Sequence, residues 1–143
     1  VTTKEQIKEI KKTVTHIAKK HDEEPYKALA TTQQAIFHQL EEQDEIDAAA
    51  IFDKVFEEKP LAREAAQLAI TEERVPEKIA VTNVPKYERK YSKQKFKLDN
   101  GIEITIPSEI YENKEMVEFI NNPDGSVSVL IKNIESILNK FNA

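Results

Sequence analysis

The chain has 143 residues and a formal charge of −5, with 39% apolar and 33% charged residues, two glycines and no cysteine. Without thiols there is no disulfide framework, thiolate zinc site, iron–sulfur cluster or cysteine nucleophile. A dinucleotide-binding turn or a P-loop needs clustered glycines so that the backbone can approach a phosphate, and Gly101 and Gly125 stand far apart. The length suits one domain, or two small subdomains sharing a core.

In chain order, Thr3 followed by Gln6 offers a capping-box start, and Ile7, Ile10, Val14 and Ile17 recur at spacings of three and four. This predicts a helix running to about Lys20. Pro25 sits where a first helical turn tolerates a missing N–H. Tyr26, Leu29, Gln33, Ile36, Phe37 and Leu40 then continue one stripe, which predicts a second helix to about Glu42. Asp44 is the expected cap of a third, carrying Ile46, Ala49, Ala50, Phe52, Val55 and Phe56. Pro60 opens a fourth with Leu61, Ala65, Leu68 and Ala69.

After Pro76 the period changes to two. Phe96 and Leu98, then Ile102, Ile104 and Ile106, share a strand face if residue 98 opposes 102, leaving the three-residue loop Asp99-Asn100-Gly101. The pattern recurs where Val117 and Phe119 precede Pro123-Asp124-Gly125 and Val127, Val129 and Ile131 follow. Opposing 119 with 129 and 117 with 131 aligns the apolar residues, with proline presetting the turn and glycine taking the left-handed position. The other face of that hairpin bears Met116, Ile120 and Leu130. Asn133 is the expected cap of a final helix with Ile134, Ile137, Leu138 and Phe141, a suitable cover. The expected fold is therefore α+β: an N-terminal bundle of about four helices over residues 1–75, then an antiparallel sheet with two hairpins and a C-terminal helix over 76–143.

No window approaches the roughly eighteen apolar residues of a membrane helix, and the opening Val-Thr-Thr-Lys-Glu lacks the apolar stretch of a secretion signal. An intracellular protein is expected. Because the chain opens on Val1, it is read as part of something longer. His16, His21 and His38 are too irregularly spaced for a metal site, since even the nearest pair points about 140° apart on a helix. Asp22, Glu23 and Glu24 beside His21 suit a helix N-terminal turn instead. Asn121-Asn122-Pro123-Asp124-Gly125 lacks the alternating carboxylates of a calcium loop. No Gly-x-Ser-x-Gly elbow or His-Glu-x-x-His pattern occurs. No metal, cofactor, small-molecule substrate or enzymatic activity is expected.

Charge is distributed unevenly. Residues 1–85 carry 12 basic and 17 acidic side chains, and residues 98–143 carry 3 and 8, so each segment is net −5. Between them, residues 86–97 carry six basic and one acidic, net +5. Lys86, Arg89, Lys90, Lys93, Lys95 and Lys97 alternate there with Tyr87, Tyr91 and Phe96. A basic strand with aromatics places cations near phosphates while rings stack on bases, so the six cations with Tyr87 and Tyr91 are the candidate nucleic-acid site. The plainer alternative is an edge strand whose lysines block sheet-to-sheet association. An overall −5 opposes delocalised binding to a polyanion. The acidic run Glu41, Glu42, Asp44, Glu45, Asp47, Asp53, Glu57 and Glu58, broken by Lys54, suits a solvated face or a basic partner.

The run from Phe96 to Pro107 and the run Glu118-Phe119-Ile120-Asn121-Asn122-Pro123-Asp124-Gly125 with its following apolar strand resemble the closing segment of the bacterial 37-kDa nucleoid-associated proteins. The resemblance covers about residues 86–140, and the earlier helices are compatible with it. It implies a cytoplasmic, nucleoid-located, non-enzymatic protein associated with DNA, of which this chain would be the C-terminal part. Two roles are open at this point. One is direct DNA contact without strong sequence preference through the basic stretch. The other is a protein-interaction or dimerisation module, with a homodimer as the simplest form and DNA contact made elsewhere.

Overall fold

The computed structural model describes residues 2–141. Its described residues form six helices and three separate two-stranded antiparallel sheets. They group into two compact units, one ending at Gln94 and the other beginning at Lys95. The sequence pattern places the division at 75/76. Two later elements instead join the helices, for reasons visible in their packing.

The first unit is built around helices α1 (Thr3–Lys20), α2 (Pro25–Glu42), α3 (Ala48–Val55) and α4 (Pro60–Thr71). In α1 the expected stripe of Ile7, Ile10, Val14 and Ile17 is buried, but Thr2 rather than Thr3 caps the helix, its Oγ1 accepting from the Glu5 N–H at 3.1 Å. Helix α2 is central, packing on α1, on α3 and on a short later helix. Its burial therefore wraps around the helix instead of following one stripe, taking in Ala28, Ala30, Thr32, Gln34, Ile36, Phe37 and Leu40. The buried Thr32 hydroxyl donates to the Ala28 carbonyl at 2.9 Å, so its burial leaves no orphaned donor.

Two sequence expectations fail here. Residues 45–47 are not the start of the third helix but a strand, β1 (Glu45–Asp47), paired antiparallel with β2 (Lys78–Ala80) so that Ile46 opposes Ile79. Asp47, not Asp44, caps α3, accepting from the Ala50 N–H at 3.1 Å. In α4 the inward face is Ala62, Ala66 and Ala69, while Leu61 (72% exposed) and Leu68 point outward. Small residues at spacings of four and three let helices approach closely, and that outweighs burying the larger leucines.

The pairing of β1 with β2 is why the unit extends past residue 75. Val75, Ile79 and Val81 are buried, and helix α5 (Val84–Tyr91) adds Tyr91 to the same core.

The second unit holds the two expected hairpins. Strand β3 (Lys93–Lys97) begins at the boundary and pairs with β4 (Glu103–Pro107). The Leu98 N–H donates to the Ile102 carbonyl at 2.8 Å, which leaves the three-residue loop closing at Gly101. After the single-turn helix α6 (Ser108–Tyr111), strands β5 (Val117–Asn121) and β6 (Val127–Ile131) pair with Phe119 opposite Val129 and Val117 opposite Ile131. Gly101 and Gly125 have φ of +93° and +88°, the left-handed conformation both turns require. Phe96, Tyr111 and Phe119 form an aromatic triad with ring centroids 5.0–5.8 Å apart.

The expected C-terminal helix does not form. Asn133 adopts φ +58°, its side chain donating to the Glu115 carbonyl at 3.0 Å, and residues 134–141 run on without helix or strand. A helix of nine residues is marginal unless its apolar stripe packs. Here Ile137, Leu138 and Phe141 are more than four-fifths exposed, at 84%, 85% and 83%. The face bearing Met116 and Leu130 accordingly stays exposed as well.

Candidate nucleic-acid interface

The basic stretch 86–97 is a helix followed by a strand, not one continuous strand. Asn83 starts α5 by accepting from the Lys86 N–H at 3.4 Å, and Pro85 fits the first turn, so the six residues after it wind helically. Helical spacing then sorts the side chains. Tyr87 and Tyr91, four apart, turn inward, while Lys86, Arg89 and Lys90 are exposed. Tyr91 is only 1% exposed, so its ring is a core group and not a platform on which a base can stack. Burial also holds its hydroxyl protonated, well above the usual tyrosine range. Tyr87 is half-buried against the same core.

Lys93, Lys95 and Lys97 alternate along β3 with Gln94 and Phe96, and all three lysines are exposed. Lys86, Arg89, Lys90 and Lys93 belong to the first unit, and Lys95 and Lys97 open the second.

The structure adds a set of cations that charge counting over long segments conceals. Helix α1 carries Lys4, Lys8, Lys11, Lys12, Lys19 and Lys20 against only Glu5 and Glu9, a local +4 hidden when residues 1–85 are summed. Lys4, Lys8 and Lys11, at spacings of four and three, lie along one side of the helix. There they meet α5 in a groove of about 220 Å³, where Lys90, Tyr87 and Tyr91 form the opposite wall. A second hollow, about 390 Å³, shares Lys8 and Lys11 and continues past Lys12 and Thr15 to Lys19. From Lys4 to Lys19 this basic surface extends about 22 Å along the helix axis.

Lys11 is the least exposed of these ammonium groups and the most constrained. Its Nζ lies 4.7 Å from the centre of the Tyr91 ring and donates to Gln33 Oε1 at 3.1 Å. The Gln33 amide donates in turn to Gln94 Oε1 at 3.4 Å. Gln94, 2% exposed, is anchored by its own amide to the Ala30 carbonyl at 2.9 Å and to Gln34 Oε1 at 3.0 Å. Burial, and then the nearby Lys90 charge, lower the Lys11 pKa to about 8. Among the described residues, no carboxylate lies within ion-pair distance of Lys4, Lys8, Lys11 or Lys90.

The acidic run behaves differently. Glu45 pairs with Lys78 at 3.7 Å and Glu57 with Lys54 at 3.6 Å, Asp47 caps α3, and Asp53 accepts from Gln67 at 3.0 Å. These carboxylates are largely spent on local structure. His38 lies 3.3 Å from Glu41 within one helical turn. Another hollow, about 670 Å³, is rimmed by Glu9, Glu73 and Glu77 with Arg74, a composition that repels rather than holds a polyanion.

A family model described as nucleoid-associated protein YejK matches residues 1–139, nearly the whole chain. Searches of curated proteins and of solved structures gave no match.

Proposed function

The chain belongs to this nucleoid-associated family, and on that premise we propose that it contacts nucleic acid directly, without strong sequence preference and without catalysis. In the first unit the contact residues are Lys86, Arg89 and Lys90 on α5, Lys93 at the start of β3 and the lysines of α1; the second unit separately offers Lys95 and Lys97. The observation that carries this reading is the gathering of Lys4, Lys8, Lys11 and Lys90, none of them ion-paired among the described residues, on one surface of a chain whose net charge is −5. Lysine and arginine held in that way recognise phosphates and carry no base preference of their own. The family supports a place in the cytoplasmic nucleoid.

A mobility-shift titration of mixed-sequence duplex DNA at two salt concentrations tests it. Binding should weaken steeply with salt, and the combined variant Arg89→Ala, Lys90→Ala, Lys93→Ala should bind at least tenfold more weakly with a shallower salt slope. Equal affinity for variant and wild type would overturn the assignment.

A second reading, an interaction or dimerisation module, is favoured by one observation. Ile134, Ile137, Leu138 and Phe141 present an exposed apolar row that monomeric soluble proteins rarely keep. Light scattering decides: a stable dimer that binds no DNA at low salt supports this module.

A further inference from the structure

We propose that the groove between α1 and α5 is a discrete seat for a phosphate group, with Lys8, Lys11 and Lys90 as its contact residues and Gln33 as the residue that positions Lys11. The proposal rests on the nucleic-acid reading above and narrows it, because it places one contact in a formed site instead of spreading all contacts over an exposed surface.

Three features of the groove converge on this. Four ammonium groups, on Lys4, Lys8, Lys11 and Lys90, line one hollow of about 220 Å³, enough for a phosphate or a pyrophosphate. Like charges gathered without carboxylates repel one another, and an anion between them converts that repulsion into attraction. The deepest of the four is also the best held. Two of the three donor directions of Lys11 have a defined direction, one to Gln33 and one toward the Tyr91 ring, which leaves a donor free for a ligand. Behind it, Gln33 is tied to the buried Gln94, itself bonded to the α2 backbone and to Gln34. A relay of glutamines running from the core to a surface ammonium fixes where that charge sits before any ligand arrives, which lowers the ordering cost of binding. The exposed lysines of β3 have no comparable support among the described residues.

The chemistry recognised is a phosphate with at least two free oxygens or a phosphodiester with its two non-bridging ones. Its source is either the backbone of a nucleic acid or a free phosphate compound, and the two are separable by experiment. Titration of the full chain with inorganic pyrophosphate, followed by calorimetry and by amide shifts, is set beside titration with mixed-sequence duplex DNA. Wild type should bind pyrophosphate at low salt, with the largest shifts in residues 4–11 and 87–91. Lys11→Met, which keeps the packing stem, should weaken pyrophosphate binding at least tenfold, and Lys8→Ala, an exposed change that leaves the core untouched, should weaken it severalfold. Gln33→Glu keeps an acceptor for Lys11 but supplies a competing carboxylate, so it should also weaken pyrophosphate binding while its melting curve stays two-state. Lys93→Ala, outside the groove, should leave pyrophosphate binding unchanged and weaken only DNA.

Pyrophosphate bound equally by wild type and Lys11→Met, or not bound by wild type at all, would overturn the seat. If DNA binding then persists and fails only in the Arg89, Lys90 and Lys93 triple variant, the broader reading survives without it. Pyrophosphate bound in the groove with no DNA binding would keep the seat, assign it to a free phosphate compound, and refute the nucleic-acid reading.

Discussion

In the unit that ends at Gln94, Ile10, Val14, Ile36, Phe52 and Phe56 are fully buried, and among the described residues the large apolar side chains left exposed are Leu61 and Leu68. In the unit that begins at Lys95, Ile106 and Val117 are the buried aliphatic residues, while Ile102, Met116, Leu130, Ile131 and the row from Ile134 to Phe141 face outward. Both units carry large aliphatic and aromatic side chains. They differ in whether each apolar stripe has a surface to meet. In the first, α2 receives helices on several sides, so every stripe finds a partner. In the second, the final stripe stays exposed among the described residues, and the segment that bears it stays out of helix.

The largest effect that should separate the units is a core deletion. Phe52→Ala removes a fully buried ring and should cost about 3–5 kcal/mol in denaturant unfolding. Phe119→Ala, in the half-buried triad of the second unit, should cost less, on the order of 1–3 kcal/mol. Equal losses would mean that the triad carries more packing than its exposure suggests. Next come the turns: Gly101→Ala and Gly125→Ala should each cost about 1–2 kcal/mol, purely from left-handed torsion, since an added Cβ meets nothing within 4 Å at either site.

A pH comparison sharpens the account of the basic groove. Lys11 has a folded pKa of about 8 against 10.5 for an ordinary lysine, so the unfolded chain holds its proton more tightly. Its burial penalty is therefore fully present below about pH 8 and is relieved as pH rises from there toward 10.5. Lys4 and Lys8 of its own helix, Gln33 of α2, and Lys90, Tyr87 and Tyr91 of α5 surround it. Lys11→Met should be more stable than wild type at neutral pH, and that advantage should shrink by about pH 9.5, as read from denaturation midpoints. A constant difference would place the charge in water. The smallest effect belongs to the C-terminal row. Leu138→Ser should change stability by no more than about 0.5 kcal/mol, and a larger, concentration-dependent loss would reveal a partner copy covering it.

What could be read from the residues was local. Pro25, the i, i+3, i+4 stripe of α1 and the paired faces around Gly101 and Gly125 each state their conformation within about ten residues, and all were found as expected. The strands β1 and β2 have three residues each and lie over thirty positions apart, too short for any period to show. Helix α5 looked like a strand because Lys93, Lys95 and Lys97 alternate with Gln94 and Phe96 directly after it, and only the Tyr87 and Tyr91 spacing hinted at helix. The six cations of residues 86–97 were legible as a charged stretch. The lysines of α1 were not, since their excess cancels against the acidic residues that follow in sequence. Tyr91 is a core ring and no base platform, and nothing short of packing could have decided that.

The pairing of Ile46 with Ile79 also has a kinetic side. Besides the ladder, Ala48 N–H donates to Glu77 O at 2.8 Å and Val81 N–H to Asp44 O at 2.9 Å. These contacts close a loop containing all of α3 and α4, at an entropic cost of about 3 kcal/mol. Closure entropy of that size predicts that this pairing follows the local helices in folding, and during synthesis it waits until residue 81 has left the ribosome. A chain cut at residue 75 would keep the residues of all four helices yet lack the strand that pairs with β1 ahead of α3.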